Sequence, residues 1–301
     1  MAEKLFPNIL VIGGTGTQGG NAARELLKHG HRVRVLARNP ESLAAKRLEQ
    51  LGAEIVQGDL REQATLVSAM KDVTALFSAQ YSDPNDTSIE LRNAYNMVHV
   101  AKETGVRQII HTSVIGSNIF PRWKKSPLLS NLWEIKYEVE EYIRQGGFQY
   151  WTILHPSFFM ENFAEPLSKY MAPELKQGKL FGVLHPETPI KLNCGEDTAR
   201  FARGGFENPG KFNAKDINIA SEELSMDQVA TQLSEKLGRK ITYEEVTVEE
   251  GVKRGLWEGT AQSHHWMNEV PGFGFDLNET LSFDIPLKSF EQWITENKSS
   301  I

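Results

Sequence analysis

Gly13, Gly16 and Gly19 recur at every third position in Gly13-Gly14-Thr15-Gly16-Thr17-Gln18-Gly19-Gly20, between the apolar run Ile9-Leu10-Val11-Ile12 and a helical pattern from Asn21 to His29. That spacing makes a phosphate cradle from the main chain alone. The first glycine permits a tight strand-to-helix turn, the second lets a pyrophosphate approach the backbone, and the third lets the helix lie close to its strand. The helix start then offers N–H groups and a partial positive charge to the phosphates. Glycines at this spacing are a weak signal by themselves. The apolar strand before them and the amphipathic helix after them make the dinucleotide reading strong.

The next strand bears on which dinucleotide is bound. His31 to Ala37 reads as strand, after a Gly30 placed to end the helix. An NAD site usually puts Asp or Glu at the end of that strand, about 20 residues beyond the glycines, to hold the ribose hydroxyls. Here the strand ends in Arg38-Asn39-Pro40. A guanidinium at that point can pair with a 2′-phosphate, so the sequence favours NADP over NAD. The competing reading makes Arg38 a solvated loop charge.

These groups need elements to position them, and the first half of the chain supplies a regular alternation. Strand patterns at 53–57, 73–77, 106–111 and 150–154 alternate with helical patterns at 41–50, 62–70, 87–104 and 132–145. Alternation at this spacing predicts an α/β fold: a doubly wound parallel sheet with right-handed crossovers and helices on both faces. Ligand then binds beyond the carboxyl ends of the strands, where the strand order reverses. The rhythm changes near residue 156. Shorter strands and helices mixed with proline and glycine follow, at 178–183, 189–192, 197–208, 216–220, 225–237 and 241–246, with a short amphipathic helix at 289–298. We therefore divide the chain into a nucleotide domain at 1–156 and a smaller α/β lobe at 157–301, some of whose segments return to the main sheet. Ser225, with Gln228 three residues on, predicts an N-cap and capping box.

With 301 residues, 40% hydrophobic and 24% charged, the chain can bury a sizeable core. A net charge of −6 without a basic, aromatic-rich stripe argues against nucleic acid as a direct partner. No apolar run reaches the ~18 residues that span a bilayer. No signal peptide precedes the first strand, so the expected location is the cytoplasm. The single cysteine, Cys194, excludes an internal disulfide framework and fits a reducing compartment. His264-His265-Trp266 offers two imidazoles, but adjacent helical residues point apart and no further ligand stands at metal spacing, so no metal site is assigned. Trp257, Trp266, Met267 and Phe273 either roof a substrate pocket or pack the lobe. His111 reads as a satisfied histidine in or near the sheet.

Several of these segments together resemble the NmrA-like family, an atypical branch of the short-chain dehydrogenase/reductase superfamily. They are the Gly13–Gly20 loop, Val35-Leu36-Ala37-Arg38-Asn39-Pro40, the stretch from Gly52 to Asp59, Lys136-Tyr137-Glu138-Val139-Glu140-Glu141-Tyr142, and the stretch from Leu154 to Phe163. The likeness covers roughly residues 7–295 and implies a Rossmann nucleotide domain with a smaller C-terminal lobe. By this resemblance Gly13, Thr15, Gly16, Thr17, Gln18 and Gly19 hold the cofactor, Arg38 holds its 2′-phosphate, and Asp59 and Leu60 flank the adenine. Asp59 also reads as a cap for the helix after Leu60. Ser78, Ala79, Gln80 and Thr112 line the groove. Ser113 takes the place of a substrate-facing serine, though it is also an ordinary residue to end a strand. Lys136 takes the place of the lysine on the nicotinamide ribose, or is an exposed helix lysine. Pro156, Phe158 and Phe159 belong to a loop over the nicotinamide. His155 stands where relatives often carry arginine, and no role is carried over to it.

One departure decides the functional alternatives. The superfamily's catalytic pair is Tyr-x-x-x-Lys, whose lysine lowers the phenol's pKa for proton transfer. Four residues before Lys136 stands Leu132, which has no proton to give, and Tyr137 faces about 100° away on the helix. The resemblance leaves two functions open: an NADP(H)-binding redox sensor that regulates a protein partner, or an NADPH-dependent oxidoreductase of a quinone or small carbonyl compound. In the second, Lys136 and Ser113 are the catalytic candidates, with Tyr81 or a lysine-held water as other proton sources.

Overall fold

The computed structural model describes residues 5–81, 83, 86, 88–122, 130–269 and 274–301. The chain forms two compact units, one of residues 5–122, 130–155 and 198–217, the other of 156–197 and 218–301. The stretch 198–217 thus joins the first unit from beyond residue 156.

In the first unit the strands are β1 (Asn8–Ile12), β2 (Arg32–Ala37), β3 (Glu54–Gln57), β4 (Ala75–Ala79), β5 (Gln108–Thr112) and β6 (Tyr150–Pro156). With Lys215–Ile219 beside β6, they form a seven-stranded sheet in the order Lys215–Ile219, β6, β5, β4, β1, β2, β3. The ladders from β3 through to β6 are parallel. Ile9, Leu10, Val11 and Ile12 are all buried, as expected of a strand covered on both faces. The order reverses between β1 and β4, so the crevice beyond their carboxyl ends is the switch point of a Rossmann-type sheet.

The crossover helices are α1 (Thr17–Lys28), α2 (Leu43–Gln50), α3 (Gln63–Met70), α4 (Ser88–Glu103) and α5 (Ser130–Arg144). Helix α1 starts at Thr17, four residues before the point its apolar pattern suggests. Gly19 and Gly20 therefore lie within its first turns, where the lack of a side chain brings the helix onto the strand. Gly30 follows the last turn with φ 74°, the left-handed conformation that ends a helix. Leu66, Ala69 and Met70 of α3, Ala94, Met97 and Val98 of α4, and Val139 and Ile143 of α5 pack into one core with Leu10, Leu76 and Ile109 of the sheet.

The second unit is built of short pieces. Phe158–Phe159 pairs in parallel with Ile190–Asn193, which pairs antiparallel with Glu222–Leu224. Lys179–Gly182 and Thr242–Glu245 make a second, parallel pair. The expected capping box is present: the Ser225 side chain accepts from the Gln228 backbone and Gln228 accepts from Ser225 N–H, at the start of helix Met226–Leu237. A second box, Ser289 with Gln292, opens the last helix, Phe290–Asn297. Among the described residues no helix is long and apolar enough to cross a membrane.

Candidate functional site

At the carboxyl end of β1 the chain turns through Gly13 at φ 77°, a conformation that disfavours any side chain. Space makes the same demand, because a Cβ on Gly13 would overlap the Ala79 carbonyl oxygen at the end of β4. The Gly16 N–H donates to the Gly13 carbonyl at 2.9 Å, closing the turn. A Cβ on Gly14 would come 2.6 Å from Val35, and one on Gly19 would overlap the Gly13 carbonyl group. The N-cap residue, Gly16, supplies no side-chain cap, and no acidic residue stands in the first turn of α1. Thr15, Gly16 and Thr17 are exposed. The helix start is thus shaped for an external anion. Gln18 ties the loop to the sheet, its Oε1 accepting from the Thr112 hydroxyl at the end of β5 at 2.5 Å.

Gln80, just past β4, has both atoms of its amide buried without a hydrogen-bond partner among the described residues. A buried amide that pairs with none of the described residues fits a ligand with a donor and an acceptor, as a ribose or an amide has. Ser78 is fully buried and lies 3.2 Å from His111 Nδ1. Burial lowers the His111 pKa to about 3, so the ring is neutral within the sheet. Arg38 is exposed at the end of β2. Its charge is a lesser cause holding the Asp59 carboxyl below the usual range, the main one being hydrogen bonding from Arg61. Asp59 binds the Arg61 guanidinium, with its shortest contact at 2.6 Å, and accepts the Arg61 backbone N–H at 2.9 Å. Asp59 is therefore not the helix cap the sequence suggested: α3 begins at Gln63, with Glu62 in the capping position. Leu60 is half-buried against the core, and its carbonyl accepts from Asn96 at 2.9 Å.

Beyond β5 and β6 lies a buried polar network that the sequence does not reveal. Glu140 of α5 is fully buried. Its Oε1 accepts from Ser113 at 2.5 Å, from Ser117 at 2.5 Å and from His155 Nε2 at 3.1 Å. Its Oε2 accepts from Arg144 at 3.0 Å, and Arg144 also donates to Asp216 at 2.6 Å. Burial alone would raise the Glu140 carboxyl, but His155 and the two serine hydroxyls bring it down to about 2. Glu140, His155 and Asp216 are close enough together for a metal ion, but the Arg144 guanidinium already donates to both carboxylates. The Ser113 hydroxyl, read from sequence either as substrate-facing or as an ordinary strand-end residue, donates to Glu140. Lys136 is not the exposed helix lysine of the alternative reading. It is 8% exposed, with Nζ 2.6 Å from the buried Glu90 carboxylate of α4.

In the second unit, the segment expected as a covering loop is the short strand Phe158–Phe159, with both rings half-buried and Pro156 buried at the end of β6. Of the adjacent histidines, His264 is buried and His265 exposed, so they do point apart. Trp266 and Met267 are buried and Trp257 is 48% exposed. Phe273 lies outside the described residues. Cys194 is 1% exposed, and burial, followed by the Asp197 charge, pushes its thiol up. Native protein should therefore leave Ellman's reagent unreacted, whereas the urea-unfolded chain releases one equivalent of thionitrobenzoate from its one cysteine. Release from the folded state would show that Cys194 is accessible.

Comparison with known proteins adds the following. The model of the NmrA-like family matches residues 7–284. An NmrA-like family domain-containing protein of Dictyostelium discoideum is 29% identical over 302 aligned positions, covering 95% of this chain and 96% of the relative. The crystal structure of NADPH-dependent quinone oxidoreductase QOR2 from Escherichia coli, complexed with NADPH, is similar with a TM-score of 0.78 at 24% identity, covering 96% of this chain and 99% of that one. NmrA, a negative transcriptional regulator solved with NADP, is similar with a TM-score of 0.79 at 20% identity, covering 98% and 97%. At these identities the two structures establish the fold alone.

Proposed function

Because this chain belongs to the NmrA-like family, we propose that it binds NADP(H) on the Gly13–Gly20 loop and works as a redox sensor without the tyrosine chemistry of the wider superfamily. The residues present fit the cofactor. Gly13 and Gly19 keep open a cradle that a Cβ would fill, and Gln80 offers an amide unpaired among the described residues. Arg38 would hold the 2′-phosphate. The nucleotide, when bound, supplies hydride chemistry, and the chain's part is to hold and orient it.

The observation that carries the sensor reading is the commitment of both catalytic candidates, Ser113 and Lys136, to buried carboxylates. Leu132 replaces the tyrosine, Ser113 donates to Glu140, and Lys136 pairs with Glu90. A sensor must bind the oxidised and reduced forms unequally, since equal affinities shift no equilibrium. Calorimetric titration should give NADP⁺ and NADPH affinities that differ about tenfold or more, and matched affinities would remove the reading. Arg38→Ala should weaken NADPH about tenfold or more, on the scale of one charge-assisted phosphate contact, and leave NADH unchanged. An equal loss for both nucleotides would free Arg38 of the 2′-phosphate role.

A second reading is supported by the likeness to QOR2: an NADPH-dependent reductase of a quinone or small carbonyl compound. A quinone accepts hydride and can take its proton from water, so the engaged state of Ser113 and Lys136 is no obstacle. Loss of NADPH absorbance across a panel of quinones and carbonyl compounds tests it.

A further inference from the structure

His264 lies on the helix Glu258–Glu269, 4% exposed, and neither ring nitrogen has a hydrogen-bond partner among the described residues. Burial lowers its pKa to about 4, so near pH 7 the ring is neutral and carries one N–H and one bare lone pair. As a space-filler this is a poor choice, because a leucine there would bury no unmet polar group. The surroundings are aromatic and small. The Phe158 ring lies 6.0 Å from the imidazole at 42°, and Phe163 lies 5.6 Å from Phe158. On another side is Gly182, where a Cβ would stand 3.2 Å from both His264 Nδ1 and the Tyr243 hydroxyl. Tyr243 does not answer the imidazole: its hydroxyl donates to the Leu184 carbonyl at 2.7 Å, and its oxygen makes no hydrogen bond with either ring nitrogen.

We propose that His264 and Phe158 form a contact site in the second unit for a planar, uncharged aromatic carbonyl compound. The carbonyl oxygen accepts the imidazole N–H and the flat ring lies against Phe158. The choice of ligand follows from the groups present: an N–H donor selects an acceptor, a neutral ring has no charge with which to hold an anion, and aromatic walls favour an aromatic guest. The proposal rests on the reductase reading for the identity of the guest, and it names a residue to which that reading had given no part.

The probe is menadione (2-methyl-1,4-naphthoquinone), titrated into the full chain saturated with NADP⁺. His264→Leu should weaken quinone binding about tenfold or more while leaving NADP⁺ affinity and Tm at wild-type levels or higher. His264→Gln, which keeps a donor, should recover part of the loss. In wild-type protein the ¹⁵N resonances of the His264 ring should move when quinone is added, a readout that needs no variant to fold. Absent quinone binding by wild type, unchanged binding by the Leu variant, or unmoved ring resonances would each overturn the site. Turnover separates this from the parent reading. Quinone held through His264 without NADPH oxidation keeps the site and ends the reductase reading. Oxidation at limiting quinone that is equally fast in the Leu variant keeps that reading and ends the site.

Discussion

Gly19→Ala is expected to abolish dinucleotide binding, with affinity for NADPH falling about a hundredfold or more, roughly 3 kcal/mol. A methyl group at Gly19 would overlap the Gly13 carbonyl carbon and oxygen and stand 2.7 Å from Gly14 N. These are main-chain atoms, and they cannot swing aside as the end of a side chain does. The Gly13 carbonyl is also the acceptor that closes the turn through Gly16 N–H. Making room for the methyl group therefore moves α1 away from β1 or opens the loop, and either change breaks the aligned amides that face a pyrophosphate. Gly16→Ala is the informative control. Its methyl group would stand 3.4 Å from the Gly13 oxygen, and Gly16 has φ −98°, open to any residue. That variant should keep its Tm and still bind weakly, because the methyl group lies where a phosphate must approach. Calorimetric titration beside thermal melts reads both effects. If Gly19→Ala binds within threefold of wild type, the loop is not the cradle.

How much of this was legible depends on how far each signal reaches along the chain. The parallel half was readable because Ile9 to Ile12 and Val35 to Ala37 are continuous apolar runs, each closed by a turn segment and followed by a helical pattern. The glycine cradle was readable for the same reason, as all its parts lie within one turn. Only the helix start was misplaced, because the glycines that open α1 carry no apolar pattern. Partners of the site's charged groups were not readable. Lys136 meets Glu90 46 residues away, Ser113 meets Glu140 27 away, and Arg144 meets Asp216 72 away. No local periodicity encodes such pairs; they follow from the sheet order. The resemblance pointed to Ser113 and Lys136 as positions, but what their side chains touch depends on Glu90 and Glu140, to which no role had been given. In the second unit the helix at 248–253 escaped notice, and that at 258–269 was read as helical only around His264 and His265, because Gly251, Gly255 and Gly259 interrupt their pattern.

The second large effect is expected from Glu140→Gln, which should destabilise the fold by on the order of 3–5 kcal/mol, the usual cost of breaking a buried ionic group by removing one partner. The carboxylate is fully buried and its two oxygens collect Ser113, Ser117, His155 and Arg144. An amide keeps the shape but has one acceptor, and its NH₂ must face either the guanidinium or the three donors on Oε1. The pH dependence carries the same signature. With the folded-state carboxyl at about 2 and an unfolded value near its ordinary 4.5, Glu140 binds fewer protons folded than unfolded between those limits. Its contribution is therefore complete above about pH 4.5, is lost progressively as pH falls towards 2, and gives no slope from this group between pH 5 and 8. Urea unfolding at pH 7, 5 and 3 should show wild type losing more stability from pH 5 to pH 3 than the Gln variant does. Equal slopes, with the variant within about 1 kcal/mol of wild type at pH 7, would mean that the network contributes little. A strong network has a functional consequence too: Ser113 cannot easily give its proton to a substrate while it stabilises Glu140, so proton transfer by Ser113 would have to overcome the cohesion of the fold itself.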